Sequence, residues 1–251
     1  MTSRRVLPDP CFGSWLSIGN PAITEIAVDA GFDWLLIDLE HGGFTEAAVP
    51  ELLRVFRGSS TLPIVRVGGL YPDQIARLLD WGAAGIMAPH VNTAEEAAAY
   101  VRAMRYPPDG ERGVSRSVRA YQYGVGPFTG NDPAARPLFI AQIETLSAVQ
   151  RSASIAATDG VDVLFVGPAD LQFDLKARPE AATLSYQACL QQVTVAAREA
   201  EKKSGILVRD IADLKSILED GFSLVGVDSD LSLLRSGYQR LMTHIHPQQC
   251  D

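Results

Sequence analysis

Eight short apolar runs alternate with eight segments of helical periodicity, and this alternation constrains the chain more than any other feature. The runs cover about 12–17, 34–39, 63–67, 85–88, 138–143, 161–166, 205–208 and 223–227, each the length of a buried strand. Helix punctuation fills the gaps. "PAITEIAVDAG" puts Ile23, Ile26, Ala27 and Ala30 on one face, "TEAAVPELLRVF" starts on Thr45, and "TAEEAAAYVRAM" offers Thr93 with Glu96 as a capping box. In "YPDQIARLLDWG" Pro72 suits a first turn and Gly82 a stop, while "DIADLKSILEDG" begins on Asp210 and ends on Gly221.

Strict alternation implies parallel strands joined by right-handed crossovers, and eight units favour a closed barrel over an open sheet. The first strand-to-helix loop also lacks GxGxxG, the mark of an open dinucleotide-binding sheet. The expected fold class is therefore α/β, a (β/α)8 TIM barrel forming one domain over 1–251. About forty residues, including "RYPPDGERGVSRSVRAYQYGVGPFTGNDP", form an insertion after the fourth unit, of the length often used for a lid or interface loop. The C-terminal helix, about 229–245, is expected to pack on a neighbouring subunit.

Net charge is −8 and the basic residues are scattered, which argues against nucleic acid as a partner. No run reaches the ~18 apolar residues of a membrane span, and "MTSRRVLPDP" has no apolar stretch after its arginines. Cys11, Cys189 and Cys250 share no ligand spacing and suit no disulfide framework, so reduced thiols and a cytoplasmic protein are expected.

A (β/α)8 barrel builds its active site at the C-terminal ends of its strands. There the second run ends in Asp38, Glu40 and His41, the third reaches Arg66, the fourth ends at His90, the fifth in Gln142 and Glu144, and the sixth runs into Asp170. Alternation places Ile140, Gln142 and Glu144 on one face of the fifth strand, above the core. Two carboxylates from adjacent strands repel unless a cation joins them, so Glu144 and Asp170 suggest a hard divalent ion, with Mg²⁺ or Mn²⁺ better suited than zinc. Each residue also has a structural alternative. Glu144 could cap a helix or pair with Arg66, Asp170 could be an N-cap, Arg66 a core ion-pair partner and His90 a loop or cap residue. His244 and His246 are read as tail residues.

The blocks "DWLLIDLEHGGF", "PIVRV", "GAAGIMAPHVNTAEEA", "RYPPDGERGVS", "AQIETLSAV", "GVDVLFVGPADL" and "SLVGVDSDLSLL" resemble, in order, the HpcH/HpaI family of metal-dependent class II pyruvate aldolases. The resemblance runs over roughly 12–235. It implies an aldolase that reversibly cleaves 4-hydroxy-2-oxo acids to pyruvate, or a related 2-oxo acid, and an aldehyde, with a divalent ion (Mg²⁺, Mn²⁺ or Co²⁺) as cofactor. It assigns Glu144 and Asp170 to the metal and Arg66 to the keto oxygen. His41 goes to proton transfer with Asp80 as its partner, and Gln142 to a place beside the metal. The N–H groups of Ala169 and Asp170 would hold the substrate carboxylate, as exposed amides at a helix start can. Where many members read D-G-E-H-A-P-N, this chain has Asp38-Leu39-Glu40-His41-Gly42-Gly43-Phe44, a difference at the aldehyde end. The family habit implies a homo-oligomer, a hexamer built as a trimer of dimers.

Three rivals remain beside it. A Schiff-base aldolase is disfavoured because Lys176, Lys202, Lys203 and Lys215 all lie away from strand ends at the rim. A CoA-thioester lyase of the citramalyl or malyl type would usually carry an acid in place of His41, and a 2-oxo acid binding protein would have no need of that histidine. Asp80 lies at the far end of its helix, about nine residues or roughly 13 Å from the rim, so a His41–Asp80 pair is expected to form between subunits, the alternative being that Asp80 is a surface cap or an intrasubunit salt-bridge partner.

Overall fold

The computed structural model describes residues 7–133, 135–180 and 184–246. Eight strands, β1 (Cys11–Leu16), β2 (Trp34–Asp38), β3 (Leu62–Arg66), β4 (Gly85–Ala88), β5 (Leu138–Ile143), β6 (Val163–Val166), β7 (Lys203–Val208) and β8 (Leu224–Ser229), close into one barrel in sequence order. Every neighbouring pair is parallel. The connecting helices are α1 (Pro21–Asp29), α2 (Val49–Val55), α3 (Pro72–Asp80), α4 (Ala94–Met104), α5 (Leu146–Gln150), α6 (Ser152–Ala156), α7 (Pro168–Ala177), α8 (Tyr186–Glu199), α9 (Leu214–Glu219) and α10 (Asp230–Ile245). The architecture is the expected (β/α)8 barrel. No helix among the described residues is long and apolar enough to cross a membrane.

Strand ends shift from the expected ones where pairing continues past the apolar run. β7 starts at Lys203 because its N–H reaches Asp162 O. β8 runs on to Ser229 because a register shift between Gly13 and Trp15 keeps it paired with β1. Helix punctuation behaves as chemistry requires. Thr93 Oγ1 accepts from Glu96 N at 3.2 Å, Asn20 caps α1, and Gly82 and Gly221 take φ of +100° and +93° beyond α3 and α9. On α1 the face shared by Ile23, Ile26, Ala27 and Ala30 is covered only in part: Ile26 is 71% exposed, Ala27 packs against the core, and the buried residue is Thr24, whose hydroxyl bonds to Asn20 O.

Side-chain alternation divides the core in two. Leu35, Ile37, Val65, Phe139, Ala141, Ile143 and Leu164 point outward to the helices. Trp34, Leu36, Leu62, Ile64, Met87, Ile140, Val163 and Phe165 fill the barrel itself. Trp15, Trp34 and Phe165 meet at its centre with ring centroids 5.5–6.3 Å apart. A Cβ on Gly13 would strike the Trp34 ring, and one on Gly205 would strike Phe165, so glycine is what admits rings of this size. The same inward alternation, continued toward the C-terminal ends, turns from apolar to charged: Leu36 leads to Asp38, Ile64 to Arg66, and Ile140 to Gln142 and Glu144.

Candidate active site

Asp38 and Arg66 are register partners on β2 and β3. Their side chains form a two-pronged pair, Arg66 Nε donating to Asp38 Oδ1 at 2.9 Å and Nη2 to Oδ2 at 2.7 Å, with both residues buried. Nη1 lies 3.0 Å from Glu40 Oε2. Burial opposes the guanidinium charge, but the hydrogen bonds and charge of Asp38, with Glu40 and Glu144 behind it, hold Arg66 above its ordinary pKa. Asp38 Oδ1 also accepts from the backbone N–H of Glu40 and of His41, so one carboxylate fixes both the arginine and the loop that carries the histidine. The sequence sets Asp38 and Glu40 at the end of the second run. Their hold on Arg66 was missed, and its signal was the matching position of Asp38 and Arg66 at the ends of two adjacent strands.

Glu144 follows β5 and is 2% exposed. Its Oε2 accepts from His90 N at 2.9 Å and lies 3.2 Å from His90 Nδ1, while Oε1 accepts from Gln142 Nε2 at 3.0 Å. Burial is the main influence that pushes this carboxyl above its ordinary value; the His90 contacts pull it down, and Asp170 and Glu40 push it up again. A Cβ on Gly167 would overlap Glu144, so glycine lets the carboxylate lie against the backbone that opens α7. His90 reaches Glu144 from a left-handed conformation, φ +52°. The structure thus gives Glu144 neither of its structural alternatives: Thr145 caps α5, and the partners of Arg66 are Asp38 and Glu40. Arg66 is the ion-pair partner that its structural alternative described.

Asp170 is exposed in the first turn of α7, where Gly167 occupies the cap, so it is not the N-cap. Leu171 N makes the first helical bond, to Gly167 O, which leaves the N–H groups of Ala169 and Asp170 pointing out of the helix end. Ala169, Asp170, Gln142, Glu144, Arg66 and His41 all line one cavity of about 990 Å³ at the C-terminal mouth. The His41 side chain is 69% exposed, 4.0 Å from Glu40. His244 stays exposed near the end of α10, bonded to Arg240 O.

Asp80 is elsewhere. At the C-terminal end of α3 its Oδ1 accepts from Arg112 Nη2 at 2.6 Å, and it does not line the cavity that holds His41. Within one chain the two are not brought together.

The donor set suits a hard cation. Among the described residues no three His, Cys, Asp or Glu side chains form a ready cage, but Glu144 and Asp170 supply two carboxylates, and the buried Gln142 Oε1 beside them has no partner. Oxygen donors with room for water and substrate match magnesium-like ions better than zinc.

A family model described as HpcH/HpaI aldolase/citrate lyase matches residues 12–237. A 5-keto-4-deoxy-D-glucarate aldolase from Klebsiella pneumoniae is 39% identical over 91% of this chain and 90% of its own length. A hydroxypyruvate/pyruvate aldolase from Paraburkholderia phytofirmans is 38% identical over 96% and 95%. The crystal structure of an HpcH/HpaI aldolase/citrate lyase family protein from Burkholderia cenocepacia superposes with a TM-score of 0.87 at 34% identity, covering 95% of each chain. With likeness of this extent in both sequence and barrel, the chain belongs to the HpcH/HpaI aldolase/citrate lyase family.

Proposed function

We propose that this chain is a divalent-metal-dependent carbon–carbon lyase that reversibly cleaves 4-hydroxy-2-oxo acids to pyruvate, or a related 2-oxo acid, and an aldehyde. The observation that carries the reading is the arrangement at the rim: the buried Glu144 and the unpartnered Gln142 oxygen with the exposed Asp170 on one side, and a buried Arg66 fixed by Asp38 on the other. The two aldolase relatives, one named for 5-keto-4-deoxy-D-glucarate and one for hydroxypyruvate and pyruvate, support 2-oxo acids as the substrate class.

In cleavage the C4 hydroxyl loses its proton, the C3–C4 bond breaks, the aldehyde departs, and the electron pair settles on the C2 oxygen as the pyruvate enolate. Protonation at C3 completes pyruvate. A divalent ion bound by Glu144 and Asp170, with Gln142 beside it, would supply Lewis acidity at the 2-oxo group. Arg66, held rigid by Asp38, meets the charge that develops on the C2 oxygen. The amides of Ala169 and Asp170 take the carboxylate at the start of α7. His41, on the loop ordered by Asp38, receives the hydroxyl proton directly or through water.

Assembly is part of the proposal. α10 buries none of its residues and exposes Leu231, Leu233, Leu234, Tyr238, Leu241, Met242 and Ile245. A second copy is the occupant that would cover this face, in a homo-oligomer for which a hexamer is our expectation. Cys11 and Cys189 are free and buried, in keeping with a cytoplasmic enzyme.

The test is pyruvate release from a panel of 4-hydroxy-2-oxo acids after chelation and after return of Mg²⁺, Mn²⁺ or Co²⁺. Activity that survives chelation, or a borohydride-trapped pyruvate adduct on lysine, would overturn the mechanism. Turnover confined to CoA thioesters would transfer it to the lyase rival.

A further inference from the structure

The proposed chemistry leaves one residue at the rim without a task. His90 follows β4, and its backbone N–H and its ring both face one oxygen, Glu144 Oε2: the amide as a hydrogen bond of 2.9 Å, the ring with Nδ1 at 3.2 Å. Holding it there costs free energy, because residue 90 sits at φ +52°, a left-handed conformation uncommon for any residue but glycine. The surroundings enforce it. Asn92 Nδ2 donates to His90 O at 2.7 Å, Thr145 Oγ1 donates to Asn92 Oδ1 at 2.6 Å, and Val91 N donates to Gln142 O at 3.1 Å. The loop after β4 is thereby pinned to β5 and to the cap of α5, with the imidazole against the Glu144 carboxylate.

The two ring nitrogens have different neighbours. Nε2 lies 3.8 Å from Glu40 Oε1, and because the ring is exposed, a small turn would close that gap to a hydrogen bond. An imidazole that gives one N–H to a carboxylate and keeps its other nitrogen bare is arranged as metal-binding histidines are. The bare nitrogen here would be Nδ1. Around a six-coordinate ion with bonds of about 2.1 Å, neighbouring donor atoms stand about 3 Å apart, close to the separation of Nδ1 and Glu144 Oε2.

We propose that His90 Nδ1 is a further metal ligand, joining Glu144 on the same divalent ion with Glu40 behind the ring. This rests on the metal part of the aldolase reading and deepens it, since a nitrogen donor moves the preference of the site from Mg²⁺ toward Mn²⁺ and Co²⁺. Among the described residues no three such side chains stand ready around one point, so the exposed ring and the exposed Asp170 both close on the ion as it binds.

Two measurements on the full chain test it. With Mn²⁺ as the probe, pulsed electron paramagnetic resonance should show the modulation of a directly bound imidazole nitrogen. His90→Asn should abolish that signal, because asparagine accepts the left-handed backbone and keeps the N–H contact to Glu144 but brings no imidazole. His90→Gly, which suits the same φ, should do likewise, and His41→Asn should keep the signal. In calorimetry, His90→Asn should weaken Co²⁺ binding about tenfold and Mg²⁺ binding by less than about threefold. A wild type without the nitrogen signal, a signal that survives in both His90 variants, or an equal loss for Co²⁺ and Mg²⁺ overturns the inference. The aldolase reading fails separately: nitrogen-bound Mn²⁺ with no turnover of any 4-hydroxy-2-oxo acid removes that reading and keeps the ligand, and turnover with an ion held by oxygen alone does the reverse.

Discussion

The two ends of this barrel use charge in opposite ways. At the C-terminal mouth the carboxylates of Asp38, Glu40 and Glu144 gather around one buried arginine, Arg66, and Asp170 adds its charge beside Glu144. At the N-terminal face a smaller cavity of about 610 Å³ is lined by Arg105, Arg112, Arg119 and Arg136. There Arg105 pairs with Asp159, Arg112 with Asp80 and Arg136 with Asp162, while Arg119 binds the carbonyls of Trp81 and Leu53. Arg112 also lies over the Tyr106 ring at 4.6 Å. Matched pairs tie residues 105–136 to the barrel base. The mouth keeps an excess of negative charge at a cost in stability, and such an excess is reserved for something that binds.

The largest effect should come from neutralising that excess. Glu144→Gln and Asp170→Asn should each lower turnover by at least about 1000-fold. Yet Glu144→Gln should raise the Tm of the metal-free protein by about 2–4 °C, because it removes a carboxylate whose charge is opposed by its burial. The pH dependence has a definite sign. The Glu144 carboxyl is held above its ordinary 4.5, so the folded state keeps a proton that the unfolded chain has released. Wild-type stability should therefore fall as pH rises from about 4.5 through the folded value, and the Gln variant should lack that slope. Chemical denaturation across pH checks it; a less stable Gln variant would remove the contrast between the two ends.

Arg66→Ala comes next. It strands Asp38 as a buried anion, and about 3 kcal/mol of stability should go with it. Exchange of the pyruvate methyl protons should slow along with cleavage; normal exchange with lost cleavage would move Arg66 to the aldehyde side.

At the other end, Asp80→Ala leaves Arg112 buried without its acid and should cost about 2 kcal/mol by denaturant unfolding. If Asp80 also serves a neighbour's His41 through its other oxygen, mixing His41→Ala with Asp80→Ala subunits should restore part of the activity. No recovery despite verified subunit exchange would leave Asp80 purely an anchor of the base.

The smallest effect concerns Cys11, whose thiol burial pushes up to about 12 from 9.0. Between those values the unfolded chain ionises first, so stability should decline as pH rises through that window, less steeply in Cys11→Ala.

The barrel was legible because each strand is a run of residues that suit burial on both faces, and each helix carries its own start and stop, as Thr93 and Gly82 do. The charged mouth was legible by the same periodicity, since Asp38, Arg66 and Glu144 fall on inward positions just beyond apolar ones. What the mouth does with those charges was not. That Arg66 turns to Asp38 and Glu40 while Glu144 turns to His90 depends on strand register and on a left-handed residue, neither of which is written in local composition.

The aromatic filling of Trp15, Trp34 and Phe165 has a kinetic consequence. It stoppers the barrel, so the reaction vessel has a single neck, and whatever enters must leave by the same route. On the proposed mechanism pyruvate would lie at the bottom of the vessel, between Arg66 and Glu144, and the aldehyde in the neck. The products would therefore leave in a fixed sequence, aldehyde before pyruvate, and added pyruvate would act as a competitive product inhibitor against the cleaved acid whereas the aldehyde would not.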